Sequence, residues 1–338
     1  MGFGENGVVM DGVQPAEKNR RSRVPPVIDM GSAGGGAAAE AMVRACEEYG
    51  FFYVINHGAA EAVVKGLEEE SRRFFGRAAA EKERAGPAKP FGYGCKAVGP
   101  NGDVGEVEYL LLHAKAPAIP DLSGDALDAH RFRCAARAYV GAAREVACRI
   151  LELIAEGLGL ADASVFTTLL THPDSDSLLR INHYFPPPSS AGTSPCAASS
   201  IGLGEHTDPQ ILTLLRSNGV GGLQLSVEEG VWIPLPPKPS AFCVNVGDLL
   251  QVMTNGRFRS ARHRVVNGPS PESRLSVAFF GGPPLQAIIS PLAEVVSSRS
   301  PSIYKSFTWE EYKRVVYSLR LKESRLHRFR ESMDAQLP

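Results

Sequence analysis

No stretch of the 338-residue sequence stays apolar for the roughly 18 residues that a membrane-crossing helix needs. The start of the chain also lacks the apolar core of a secretory signal. Asn6 stands where a myristoylation start after Met1-Gly2 would want Ser or Thr. Without such an address the expected location is the cytoplasm, with the nucleus left open. Charge bias is missing too: 36 Lys and Arg stand against 37 Asp and Glu, a formal net charge of −1. That balance offers no footprint for nucleic acid or an anionic membrane, so a small-molecule partner is expected. The short basic run at residues 18–23 reads as a solvated tail. Six cysteines (Cys46, Cys95, Cys134, Cys148, Cys196, Cys243) contain no C-x-x-C pair, which argues against a zinc ribbon or a dense disulfide framework. Most read as small core residues. Cys196, in a loop rich in Pro and Ser, is expected to be an exposed thiol, and an intermolecular disulfide there is one route to an oligomer. No internal repeat of fixed period is present.

What is there is ordinary for a globular chain: 43% hydrophobic and 22% charged, with enough length to bury a substantial core. Residues 1–23 read as a flexible leader and 24–120 as an N-terminal mixed α/β region. Within that region, residues 37–49 and 61–84 carry helical patterns, and Phe51-Phe52-Tyr53-Val54-Ile55 is a β-prone run. Supporting helices are expected over 121–174. There Tyr139, Ala143, Val146, Ile150 and Ile154 recur at helical spacing, with charges between them. Beyond residue 175 the texture changes. Short apolar runs at 178–184, 211–215, 223–227, 231–235, 242–246, 249–253 and 276–280 alternate with Gly-, Pro- and Asn-rich turns. Strands at this spacing imply a jelly roll or related barrel over 175–284. Thr308-Trp309-Glu310-Glu311 is a capping box that opens a helical C-terminal segment, 285–338, with its final helix running toward Arg330. The fold class is therefore α+β.

In this β-rich region lies Gly204-Glu205-His206-Thr207-Asp208-Pro209. Residues two apart on an extended strand share a face, so His206 and Asp208 project into one space. His263 lies 55 residues beyond Asp208, in a neighbouring expected strand. Two histidines and one carboxylate on one face make the triad of non-haem Fe(II) oxygenases, which leaves coordination positions open. A zinc hydrolase would draw on similar ligands, but no general base is evident beside them. Arg274-Leu275-Ser276 sets a guanidinium and a hydroxyl on one strand face, suited to clamping a carboxylate; an internal salt bridge is the alternative use of Arg274. Tyr184, in Asn182-His183-Tyr184, is a further donor to the same anion.

His206-x-Asp208, His263 and Arg274-x-Ser276, with Asn182-x-Tyr184 upstream, resemble the signature of plant 2-oxoglutarate/Fe(II)-dependent dioxygenases. The resemblance extends through Trp232-Ile233-Pro234-Leu235 and Asn245-Val246-Gly247-Asp248, and back to Pro25-Pro26-Val27-Ile28-Asp29 and Gly50-Phe51-Phe52-Tyr53. It implies a double-stranded β-helix core supported by the long amphipathic helix. It also implies Fe(II) held by His206, Asp208 and His263, with O₂ as oxidant and ascorbate as a supporting reductant. 2-Oxoglutarate would chelate the iron, its distal carboxylate held by Arg274, Ser276, Tyr184 and Asn182.

Two stretches are similar to gibberellin 2-oxidases of the C19-gibberellin type. One is Phe91-Gly92-Tyr93-Gly94 together with Val107-Glu108-Tyr109-Leu110-Leu111-Leu112. The other runs from His206 through Pro209-Gln210-Ile211-Leu212-Thr213 to Asn218. Cys95 and Glu106 depart from that pattern, Glu106 replacing an aromatic residue. The resemblance implies 2β-hydroxylation of a gibberellin, a rigid apolar acid, with Tyr109, Lys96 and Phe280 lining its pocket. Another gibberellin oxidase, a flavonoid hydroxylase and a non-catalytic hormone-binding jelly roll are the alternatives.

Overall fold

The computed structural model describes residues 24–31, 35–98, 101–117, 126–186, 200–268 and 270–331. Cys196 and the basic run at 18–23 lie outside them. The first elements are strand β1 (Val27–Asp29), helix α1 (Gly35–Glu48), strand β2 (Phe51–Ile55) and helices α2 (Glu61–Phe75) and α3 (Ala79–Glu83). Next come hairpin strands β3 (Gly92–Ala97) and β4 (Val104–His113), the long helix α4 (Ala126–Leu158) and the short α5 (Thr167–Thr171). Strands β5 (Leu178–Tyr184), β6 (Ile201–His206), β7 (Leu212–Ser217), β8 (Leu223–Glu228), β9 (Val231–Pro234) and β10 (Phe242–Val246) follow. Helix α6 (Asp248–Met253) precedes β11 (His263–Val266) and β12 (Arg274–Gly281). A small ribbon of β13 (Ile288–Ile289) and β14 (Phe307–Thr308) leads into α7 (Trp309–Ser318), with a 3-10 turn, Leu326–Phe329, beyond it.

An eight-stranded sheet runs β1-β2-β10-β7-β12-β5-β4-β3, and a four-stranded sheet runs β6-β11-β8-β9. Together they make the expected jelly-roll core. The large sheet works on both faces, so its strands alternate between two destinations. Leu275, Val277 and Phe279 of β12, with Leu179 and Ile181 of β5, join the helical layer of α1, α2 and α4 in one core. Each such side chain contributes about 1.5–3 kcal/mol by burial. The opposite parity (Arg274, Ser276, Ala278 and Phe280; Arg180, Asn182 and Tyr184) faces the space between the sheets. Phe51, Tyr53, Val107 and Tyr184 meet Leu203 and Leu225 in a second core there. Helix α4, 33 residues and therefore about 50 Å long, spans the back of the large sheet. Tyr139, Ala143, Val146, Ile150 and Ile154 are all buried along it, as their spacing predicts.

Three local expectations give way. The helical pattern of 61–84 breaks at Gly76, whose amide closes the last turn of α2 on the Arg72 carbonyl at 2.9 Å. The apolar run 249–253 is helical, because apolar runs this short carry no period of their own. The final helix keeps its capping box, Thr308 with Glu311, yet stops at Ser318 instead of reaching Arg330. Past it the chain is held in a non-helical path, with the Leu321 amide donating to Asp103 Oδ2 at 3.0 Å.

A buried polar cluster sits on the helical side of the large sheet. Glu108 of β4, 1% exposed, accepts from Lys82 Nζ (2.6 Å), Tyr93 Oη (2.6 Å) and His183 Nδ1 (2.8 Å). Burial pushes its carboxyl up, but the bonds from His183, Lys82 and Tyr93 outweigh burial and hold it below the ordinary 4.5. Glu108 therefore stabilises the fold above its unfolded value, and that contribution is lost as pH falls through the depressed folded value. Glu108→Ala, which strands Lys82, is expected to cost about 3–5 kcal/mol in denaturant unfolding at neutral pH. Its deficit against wild type should shrink as the melts are taken into the acid range. A deficit independent of pH would show that Glu108 acts through packing alone.

Candidate active site

Strand β6 ends at His206 and β11 begins at His263, and the antiparallel register sets these two residues directly opposite each other. Their rings lie 4.2 Å apart, centroid to centroid. Asp208 follows in the bend after β6, not on the strand itself, and its Oδ1 is 3.6 Å from Nε2 of both His206 and His263. All three ligand atoms fall within 4.8 Å of one another, and the group is the one metal-capable cluster among the described residues.

Hydrogen bonding presents the correct atoms. His206 Nδ1 donates to the Gly204 carbonyl (2.8 Å) and His263 Nδ1 to the Ala261 carbonyl (3.2 Å). Carbonyls only accept, so each Nδ1 carries the proton and each Nε2 keeps its lone pair for a metal. Burial, reinforced by His263, lowers His206 to about 3, which keeps it neutral. For Asp208, burial opposes ionisation, but His263, His206, Thr213 and Asn245 together hold the carboxyl below its usual range. Thr213 Oγ1 (2.7 Å) and Asn245 Nδ2 (2.8 Å) both donate to Asp208 Oδ2, which leaves Oδ1 turned toward the histidines.

A further layer fixes the bend and was not foreseen from the sequence. The Asp248 amide donates to the Asp208 carbonyl at 2.8 Å. The buried Asp248 carboxylate accepts from Thr207 (3.1 Å), Ser260 (2.7 Å) and Tyr312 (2.7 Å). This corner needs Gly247, since a Cβ there would lie 1.9 Å from the Gln210 carbonyl oxygen. Arg325 Nη1 donates to the Thr207 carbonyl at 3.0 Å, between the two ligands of the bend.

Across the cavity, Arg274 pairs with Tyr184 and Ser276 with Asn182 between β12 and β5. All four are buried. The Arg274 guanidinium lies 5.1 Å from the centre of the Tyr184 ring. Its Nε and Nη1, and Ser276 Oγ, are buried with no hydrogen-bond partner. Among the described residues no carboxylate pairs with Arg274, so the salt-bridge alternative falls away. Burial draws its basicity below that of an ordinary arginine. Unpaired donors of this kind are costly unless a ligand accepts from them. The donor set thus fits a divalent metal at one end and a small dicarboxylate reaching from it to Arg274 at the other.

These groups line a cavity of about 960 Å³, the size of a small-molecule site. Tyr109 and Phe280 line it as expected. Lys96 does not. It sits at a β-bulge with φ +58°, its side chain 61% exposed and paired with Glu106 at 3.1 Å. The bulge turns Lys96 to solvent while Cys95 and Ala97 face the cavity. The two departures from the family pattern are thereby located: Cys95 on the cavity wall, Glu106 as the outward partner of Lys96.

A jelly roll holding two histidines and a carboxylate on one side of a cavity, and an unpaired arginine on the other, is the architecture of a non-haem iron, 2-oxo-acid-dependent oxygenase. Comparison with known proteins agrees. The model of the 2OG-Fe(II) oxygenase superfamily matches residues 175–283, and that of the non-haem dioxygenase in morphine synthesis N-terminal region matches 25–117. The chain belongs to the 2OG-Fe(II) oxygenase superfamily. It is 48% identical to gibberellin 2-beta-dioxygenase 2 of Oryza sativa subsp. japonica, over 92% of this chain and 88% of that one. It is 49% identical to gibberellin 2-beta-dioxygenase 4 of Arabidopsis thaliana, over 91% and 95%. Among solved structures it resembles JOX2 in complex with 2OG, Fe and JA (TM-score 0.78, 27% identity, 94% and 92% covered). It also resembles the rice dioxygenase for auxin oxidation (TM-score 0.72, 29% identity, 91% and 100% covered). As an enzyme of this family it uses Fe(II), 2-oxoglutarate and O₂.

Thr213→Val removes one of the two donors on Asp208 Oδ2 at nearly constant volume. It is expected to weaken divalent-metal binding by about 10–100-fold, read by titrating Co(II) into the metal-free protein. Unchanged affinity would mean that Asn245 alone orients the carboxylate.

Proposed function

We propose that the protein is a gibberellin 2-beta-dioxygenase that hydroxylates C19 gibberellins at C2 and so inactivates the hormone. The reaction is coupled to oxidative decarboxylation of 2-oxoglutarate to succinate and CO₂. The observation that carries this reading is the 42–49% identity to gibberellin 2-beta-dioxygenases from four plant species, over 85–92% of the chain.

In this reading His206, Asp208 and His263 hold Fe(II) on one face. Arg274 and Ser276 grip the distal carboxylate of 2-oxoglutarate, with Tyr184 and Asn182 beside them. Bound iron with its co-substrate and O₂ supplies the oxidising power that breaks an unactivated C–H bond. The chain's own residues supply position. Arg274 and Ser276 fix one end of the co-substrate through a charge-assisted fork and a hydroxyl, so its other end reaches the triad in a single orientation. The Nδ1 bonds that orient the two histidines and the half-committed Asp208 keep the ligand atoms set before anything binds. Leu111, Leu178, Phe280 and Val316 give the remainder of the cavity an apolar lining that suits a hydrocarbon skeleton and excludes water from the reacting carbon.

Incubation with Fe(II), ascorbate, 2-oxoglutarate and a bioactive C19 gibberellin is expected to give the 2β-hydroxylated product by mass spectrometry, with succinate in equal amount. Folded, iron-loaded protein that forms succinate only with flavonoids, or with gibberellins at another carbon, would overturn the assignment.

A further inference from the structure

We propose that Arg180 is the recognition site for a carboxylate on the organic substrate, a second anion site in the cavity separate from that of Arg274. This rests on the reading of the substrate as a rigid apolar acid.

The strand pattern places the residue. On β5, Arg180 shares its parity with Asn182 and Tyr184 and lines the cavity. Its cross-strand neighbours are Ala278 on β12 and Leu111 on β4. Ala278 in turn faces Leu215 of β7, two residues from the Thr213 that holds Asp208. Arg180 therefore sits about 7 Å along the strand from the Asn182–Ser276 pair, and about twice that from Tyr184–Arg274. The row that carries Thr213 and Asn245 is the next one along, through Leu178 and Phe280, so Arg180 stands between the metal end of the cavity and the Arg274 end.

The side chain is set up for a ligand. Its guanidinium lies over the Tyr109 ring at 4.1 Å, which fixes the plane. Its Nε donates to Asn182 Oδ1 at 2.8 Å, which fixes the rotation about that plane. Its Nη2 is buried and has no partner, and among the described residues no carboxylate pairs with it. A rigid fork with a buried donor unspent is matched by a carboxylate and poorly by a neutral group.

The other cations on the cavity wall are otherwise engaged. Arg274 belongs to the far end. Arg325 leaves its Nε buried without a partner, but Nη1 on the Thr207 carbonyl (3.0 Å) and Nη2 on the Leu321 carbonyl (3.5 Å) tie its guanidinium to the bend of the metal ligands. Lys89 is exposed to solvent. Two of the nearby hydroxyls are committed as well: Tyr109 Oη donates to the Ala97 carbonyl (3.1 Å) and Tyr93 Oη to Glu108 (2.6 Å). An acid whose carboxylate meets Arg180 would lay its hydrocarbon body against Leu111, Leu178 and Phe280, beside the triad.

The test compares a substrate acid with its methyl ester in the iron-loaded enzyme, for wild type, Arg180→Met and Arg180→Lys. Thermal melting confirms that each variant is folded. Wild type should favour the acid in kcat/KM by roughly 10- to 100-fold, the worth of a hydrogen bond to a charged group. In Arg180→Met that preference should collapse, mainly through loss on the acid. Arg180→Lys should keep part of it, since charge survives without the fork. An acid-to-ester ratio in Arg180→Met equal to that of wild type would overturn the proposal. So would a rise in KM for 2-oxoglutarate in place of a changed ratio, which would assign Arg180 to the co-substrate through Asn182. If another plant acid is turned over and gibberellins are not, the functional reading fails while the same ratio on that acid still decides Arg180. Turnover of neutral substrates alone would overturn both.

Discussion

On β12, Leu275, Val277 and Phe279 are anchored in the core beneath the helical layer, and that anchoring turns Arg274, Ser276, Ala278 and Phe280 toward the cavity. The same parity on β5 sends Leu179 and Ile181 backward and Arg180, Asn182 and Tyr184 forward. A one-residue slip between these strands would exchange the two sets, burying a guanidinium under α4 and lining the site with leucine. The apolar back of the sheet is therefore what positions the polar front. The cost of ordering the site is met by burial that has no direct part in the chemistry.

The charge pattern of the cavity follows from this division. Asp208 is the buried carboxylate on its wall, and two histidines hold it ionised. Among the described residues Arg180 and Arg274 have no acid paired with them. A folded chain would not keep two such donors near an apolar cavity for stability, because desolvation without a partner is a loss. Their expense is recovered only with anionic ligands in place. The two rows of the sheet on which they stand lie far enough apart for two separate carboxylates. Glu108, on the other side of the same strands, illustrates the structural use of charge: every partner is present and the group is held ionised.

The triad and the Arg-x-Ser pair were legible in the sequence because their spacing is local and their residue types are restricted by the chemistry. The jelly roll was legible from the rhythm of apolar runs and turns, and α4 from its stripe. Lys96 was not, because a bulge in a hairpin reverses the face of a residue without leaving a mark in its composition. The Asp248 cluster and the Glu108 cluster were hidden for a different reason. Asp248 gathers Thr207, Ser260 and Tyr312, and Glu108 gathers Lys82, Tyr93 and His183, from elements that meet only after the sheets close. No period or motif in one chain brings such partners together.

The premature end of the last helix has the same kind of cause. Tyr312 on α7 reaches Asp248, and Val316 and Tyr317 form part of the cavity wall. If the helix continued past Ser318, the Leu321 amide would bond within it. Instead that amide donates to Asp103, and Asn101 donates to the carbonyls of Tyr317 (3.0 Å) and Leu319 (2.7 Å). The β3–β4 turn thus draws the chain out of helical geometry and across the cavity. From that path Arg325 enters the interior, 4% exposed, and bonds the carbonyl between His206 and Asp208. The segment that walls the substrate space and the bend that carries two metal ligands are joined by a direct hydrogen bond. Helix propensity is worth at most about 0.7 kcal/mol per residue for ordinary side chains. It loses at residues 319–325 to several tertiary bonds, each of about 0.5–1.5 kcal/mol.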